Sequence, residues 1–149
     1  MKTFFTILAL FWVGLQPAAA GDKPTKMSLG IGGFLGASYR VELLEGTSTV
    51  QYLYNPQTFT NLKGTKEEKI EIPLERWTAF RKSLDAAGVW GWKTQYVHKG
   101  VADGTVWDLT IEWGDHKIKS KGDNAFPRQK DFVVFKTAVS ELLGGRKFE

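Results

Sequence analysis

From Tyr39 onward the apolar positions of this chain change period several times. Tyr39, Val41 and Leu43 alternate with Arg40 and Glu42, and Val50, Tyr52 and Tyr54 alternate with Gln51 and Leu53. A period of two predicts strands over Tyr39–Glu45 and Thr49–Tyr54. Glu45-Gly46-Thr47-Ser48 supplies the turn of a hairpin, and Asn55-Pro56 ends its second strand. Residues 57–66 read as a polar loop, and Glu68–Ile72 as a short third strand facing inward through Ile70 and Ile72.

The period then lengthens. Leu74, Trp77, Phe80, Leu84 and Ala87 recur at three- and four-residue steps, which predicts a helix over Leu74–Ala87 with one buried stripe. Pro73 suits its start and Gly88 its end. Val89–Val97 reads as a strand or extended segment interrupted by Gly91. After the Asp103-Gly104 turn, Trp107, Leu109, Ile111 and Trp113 alternate with Asp108, Thr110 and Glu112, giving a strand over Val106–Trp113. Gly114-Asp115 turns the chain into a return strand, His116–Lys121. A second helix spans Pro127–Leu143 on the stripe Phe132, Phe135, Val139 and Leu142, and Gly144-Gly145 stops it. The order β-β-β-α-β-β-β-α predicts an α+β domain: an antiparallel sheet of five or six strands with two helices packed on one face.

The segment ahead of Tyr39 is different. Lys2, the apolar run Phe4–Leu15, Pro17 and Ala18-Ala19-Ala20 have the form of a secretory signal peptide over residues 1–20, cleaved before Gly21. The run is too short to span a bilayer as a helix, and no later stretch is long and apolar enough to do so. Residues 21–38 read as a Gly-rich lead-in, flexible or forming an edge strand through Phe34 and Leu35, ahead of a single domain over residues 39–149. Its glycines lack the strand, helix and Lys-Ser/Thr pair of a phosphate loop.

Composition narrows the chemistry. The chain has no cysteine, so an exported domain holds itself together by packing alone, and thiol chemistry and thiolate metal sites are excluded. Its net charge of +4 is too small to argue for nucleic acid. His98 and His116 are the only histidines, and neither stands in HxH, HExxH or HxxxH spacing. No serine lies in a G-x-S-x-G context, and Asp103, Asp108 and Glu112 do not have the spacing of a calcium loop. No catalytic set, metal site or cofactor is expected.

Two surfaces remain as ligand candidates. Lys117, Lys119 and Lys121 share one face of a strand. They suit an anionic envelope component, or serve as a solvated face that discourages edge-to-edge pairing. Trp90 and Trp92, two apart in an extended segment, would point to one side as a binding platform, or pack over the end of the first helix.

The run Asp103-Gly104-Thr105-x-Trp107-x-Leu109-x-Ile111, followed by Ile118, Ser120 and Gly122, then Gly122-x-Asn124-Ala125-Phe126-Pro127 and Phe132-x-x-Phe135, resembles a family of small bacterial proteins, mostly exported or lipid-anchored and uncharacterised. Trp77-x-x-Phe80 and Val89–Tyr96 fit the same pattern. The resemblance covers residues 73–143 and departs from it at Phe126, where the family pattern has Tyr. It implies a shared fold and an envelope location, and no activity, cofactor or catalytic residue.

The expected function is that of an exported, non-catalytic binding module of the bacterial cell envelope. Its expected partner is an anionic envelope component or another envelope protein. One alternative is a hydrolase of an envelope polymer, which would gather at least two of His98, His116, Asp103, Asp108 and Asp123 in a pocket. Another is a structural or stress-related envelope protein with a protein partner, contacted through Trp90, Trp92 or Tyr54.

Overall fold

A computed structural model describes residues 21–33, 36–57, 64–100 and 104–149. The expected signal peptide (residues 1–20), Phe34, Leu35 and Asp103 lie outside the described residues. The chain is α+β: β1 (Lys26–Gly33), β2 (Ser38–Leu43), β3 (Thr49–Asn55), β4 (Lys66–Glu71), α1 (Leu74–Ala86), a 3-10 turn (Val89–Gly91), β5 (Gln95–Val97), β6 (Thr105–Trp113), β7 (His116–Asp123) and α2 (Gln129–Leu142). The strands form one seven-stranded sheet in the order β4-β3-β2-β1-β6-β7-β5. All neighbours are antiparallel except β5 and β7, which run parallel. The sheet is therefore mixed and larger than the antiparallel five or six strands expected. No described helix is long and apolar enough to cross a membrane.

The Gly-rich segment read as a lead-in or edge strand is the centre of the sheet. In β1 the apolar Met27, Leu29 and Ile31 alternate with Lys26, Ser28, Gly30 and Gly32, and all three apolar residues are buried. Leu29 pairs with Val41 of β2 on one side and Leu109 of β6 on the other, and none of the three side chains has any exposure. Gly30 is small for a reason: an added Cβ would lie 2.6 Å from Asp108 Oδ1 and 3.2 Å from Arg40 Nη2, an ion pair that crosses over it. The domain thus includes residues 26–33, and glycine content had masked the strand's period.

Both helices pack on one face of the sheet. Trp113 of β6 meets Trp77 and Phe80 of α1, while Trp107 of the same strand meets Phe132 of α2. The expected stripes are buried at Trp77, Phe80 and Leu84, and at Phe132, Phe135, Val139 and Leu142. Each such side chain contributes about 1.5–3 kcal/mol on removal from water. Leu74 departs from its stripe. It sits in the first turn of α1 and is 55% exposed. Gly88, at φ 62°, ends α1 in the left-handed region.

The segment Val89–Val97, expected as a strand or extended segment interrupted by Gly91, is a strand only at its end. It makes a 3-10 turn and then only three residues of β5. The C-terminal tail folds back onto β3 and β4. Phe148 is buried against Tyr39 and Phe135, Tyr52 Oη donates to the Lys147 carbonyl at 2.8 Å, and Arg146 pairs with Glu68. Burial, with Tyr39 and Tyr54 beside it, pushes the Tyr52 hydroxyl up to about 12.

The motif around Gly122 closes the other end of the core. Trp107 Nε1 donates to the Ala125 carbonyl at 2.9 Å, and its indole lies over Gly122. A Cβ at Gly122 would run into both the indole and that carbonyl. Asn124, at φ 51°, carries the chain round this corner. Gly122→Ala should therefore cost about 1–3 kcal/mol by overpacking. Gly91→Ala, where a Cβ meets nothing within 4 Å, should stay within about 0.5 kcal/mol. Urea denaturation of the two variants checks the contrast.

Candidate binding face

With both helices on one side, the other face of the sheet carries a polar set that follows from the strand period. Row by row across the ladder, Lys26 faces Glu112 and Lys117, and Glu42 faces Ser28, Thr110 and Lys119. Arg40 faces Gly30, Asp108 and Lys121, and then Gln95 of β5. Gly32, Val106, Asp123 and Val97 form the next row, in which Val97 is 50% and Val106 38% exposed. On β3 and β4 the same face continues through Gln51, Leu53, Glu67, Lys69 and Glu71.

Lys117, Lys119 and Lys121 are all exposed on this face. They are not an uncompensated cationic row. Lys117 Nζ lies 3.0 Å from Glu112 Oε2, and that bond, with Lys26 adding its charge, holds the Glu112 carboxyl below its usual range. Lys121 stands opposite Asp108, whose Oδ1 accepts from Arg40 Nη2 at 3.1 Å. Lys119 stands opposite a hydroxyl, Thr110. Two depressions lie end to end along β6 and β7. The first, about 330 Å³, is lined by Lys26, Ser28, Thr110, Glu112, Lys117, Ile118 and Lys119. The second, about 290 Å³, is lined by Gln95, Tyr96, Val106, Trp107, Asp108, Lys121, Gly122 and Asp123.

Trp90 and Trp92 do not form a platform. The 3-10 turn separates them. Trp92 packs among Trp107, Phe132 and Phe135, and its Nε1 donates to the Ala87 carbonyl at 3.3 Å. Trp90 donates to Asp85 Oδ1 at 2.6 Å and packs at a tilt against His116, ring centroids 5.0 Å apart.

Of the residues considered for hydrolysis, Asp108 and Asp123 share the second depression. Asp123 Oδ1 accepts from Asn124 Nδ2 at 3.0 Å. His98 is exposed and lies outside the lining of that depression, its backbone N–H donating to the Asp123 carbonyl at 3.0 Å. His116 lies at the opposite end of β7, where Arg81 Nη2 is 3.2 Å from its Nδ1. Among the described residues no group of three or more His, Asp or Glu could hold a metal ion.

Two features escaped sequence reasoning. Lys26 and Ser28 were hidden in the apparent lead-in, although the Lys26/Met27/Ser28/Leu29 alternation was there to read. The cluster of Arg81, Asp85, Trp90 and His116 joins α1, the 3-10 turn and β7. Its only local signal was the Arg81–Asp85 pair four residues apart on a helix. In it the Arg81 guanidinium sits 5.0 Å from the Trp90 ring and 5.5 Å from that of Trp113.

Comparison with known proteins adds no assignment. No protein-family model matches the chain, and no curated protein gives a significant match.

The Arg81 cluster has a pH signature. Burial pushes the Asp85 carboxyl up, but the Trp90 and Arg81 hydrogen bonds and the charges of Arg81 and His116 outweigh it and hold the carboxyl below its usual 3.8. A depressed folded-state pKa gives stability that is present above the unfolded value and lost as pH falls through the folded one. Asp85→Asn should cost about 1 kcal/mol or less above pH 5, given solvent screening. The gap to the parent should shrink progressively as pH falls below the usual carboxylate value of 3.8. Urea midpoints measured across this range check it.

Proposed function

We propose that this chain is an exported binding domain of the bacterial cell envelope, with no chemistry of its own, and that its ligand surface is the open face of the sheet along β6 and β7. The ligand is an anionic envelope component. One observation carries the reading: Lys26, Lys117 and Lys119 converge with the Ser28 and Thr110 hydroxyls in a single depression. Ammonium groups and hydroxyls together suit a phosphate or carboxylate, because both donate to its oxygens. The signal-like N-terminus and the family resemblance support the envelope location. The first residue after the proposed cleavage point is already part of the fold, since Trp113 Nε1 donates to the Gly21 carbonyl at 2.5 Å.

The interleaved acids make the surface selective rather than broadly cationic. An anion meets Lys119 directly, whereas at Lys117 it competes with Glu112. The purified protein should bind vesicles of phosphatidylglycerol in preference to phosphatidylcholine, or bind lipopolysaccharide, and binding should weaken as salt rises. Lys119→Glu with Lys121→Glu should weaken it at least about tenfold, a loss of about 1.4 kcal/mol. Lys117→Ala should have the smaller effect. Folded protein that ignores every anionic surface offered would remove the reading.

The depression shared by Asp108 and Asp123 favours a second reading, hydrolysis of an envelope glycan by paired carboxylates. Release of reducing ends from peptidoglycan, lost on Asp108→Asn and on Asp123→Asn, would support it. No release would exclude it for that substrate.

A further inference from the structure

A larger depression, about 540 Å³, lies away from the open face, where the segment Gly21–Thr25, the β2–β3 turn and the start of α1 meet. Its apolar lining includes Pro24, Leu43, Ile72, Leu74 and Trp77, and Lys23, Thr25, Thr47, Ser48 and the exposed Asp22 also line it. Leu74 is the most exposed large apolar side chain among the described residues. Its helical phase alone would have buried it, so the depression leaves an apolar wall open to water.

Trp77 is 1% exposed, and its Nε1 is the one buried side-chain nitrogen or oxygen among the described residues without a hydrogen-bond partner. The contrast with the other described indoles is sharp. Trp90, Trp92, Trp107 and Trp113 each donate to an acceptor, namely Asp85 Oδ1 and the Ala87, Ala125 and Gly21 carbonyls. A buried donor left unpaired costs the full desolvation of the group, and native structures rarely carry one without a reason. In the lining of the same depression, Lys23 Nζ donates to the Thr47 carbonyl at 2.7 Å and to Ser48 Oγ at 3.0 Å. An ammonium has three donors, so one remains for a ligand.

We propose that this depression is a second binding site, for a short aliphatic carboxylate. The chain lies along Leu43, Ile72 and Leu74, and the carboxylate accepts from Trp77 Nε1–H and Lys23. The indole N–H is shielded in the unliganded protein, so binding includes a shift of the wall. Gly21–Thr25 and the Gly46–Ser48 turn are parts of that wall outside any helix or strand.

Octanoate is the probe, with acetate as the head-group control and 1-octanol as the tail control. Indole N–H resonances of the ¹⁵N-labelled protein are followed, with Trp77 identified by Trp77→Phe or, if that variant does not fold, by sequential assignment. Octanoate should move the Trp77 N–H resonance downfield and saturably, acetate should not at equal concentration, and 1-octanol should move it less. Leu74→Asp, at an exposed position, should weaken octanoate binding at least about tenfold with the fold intact. An unmoved Trp77 resonance would overturn the proposal. So would an upfield position in the unliganded protein with no response to octanoate, which would show the N–H resting on the Trp113 ring that Trp77 meets at 84°. An equal response to 1-octanol would likewise overturn the carboxylate assignment.

Discussion

The strand Lys26–Gly33 is paired along both of its edges, and the order of the sheet follows from that double pairing. One hairpin side, β2 to β4, reaches the other, β6, β7 and β5, across β1. Leu29 between Val41 and Leu109, and Ile31 between Tyr39 and Trp107, carry the core through the middle of the sheet. Side chains alternate with a period of two, so a slip of one residue would turn Lys26 and Ser28 into the core and Met27 and Leu29 out of it. That penalty holds the register of both halves. It also places Gly30 beneath the Arg40–Asp108 ion pair, where a larger residue would have to displace it.

From the same register comes the character of the open face. Once the apolar set of every central strand points toward α1 and α2, the polar set is left in water as cross-strand rows. Opposite charges facing one another in such rows are each worth only about 0.2–1 kcal/mol. The rows contribute little to stability beyond avoiding repulsion. Their larger effect is on recognition, because each paired lysine must exchange a carboxylate for a ligand. Lys119, facing Thr110, does not. Away from this face, the Trp77 depression joins an apolar wall to an indole N–H without a hydrogen-bond acceptor.

Much of the architecture could be read along the chain. Both helices follow the stripes of Trp77, Phe80 and Leu84 and of Phe132, Phe135, Val139 and Leu142, because a helix buries what its own period lines up. The Thr105–Pro127 region was legible as strand, hairpin, strand and helix start for the same local reasons. Some readings missed in whole or in part, where a distant partner overrode a local signal. Glycines suggested a loose lead-in, yet Gly30 lies in a central strand, close under a crossing ion pair. Val89–Val97 had the apolar content of a strand, but Trp92 is drawn into the core between β6 and α2 and the backbone turns to follow it. Leu74 had the phase of a buried residue, but at the first turn of its helix it faces the depression instead of the sheet.

By itself the sequence determined most of the elements, the inward stripes, the absence of thiol chemistry and the placing of Lys117, Lys119 and Lys121 on one face. These depend on the spacing of neighbours within a few residues. Only the tertiary structure decided that β1 is central, that Glu112 and Asp108 stand across from two of those lysines, and that Lys26 and Ser28 join the third. It alone brought Lys23, Leu43 and Trp77 to one depression. Those relations are fixed by strand pairing and packing between residues far apart in the chain, and local periodicity carries no record of which strand lies beside which.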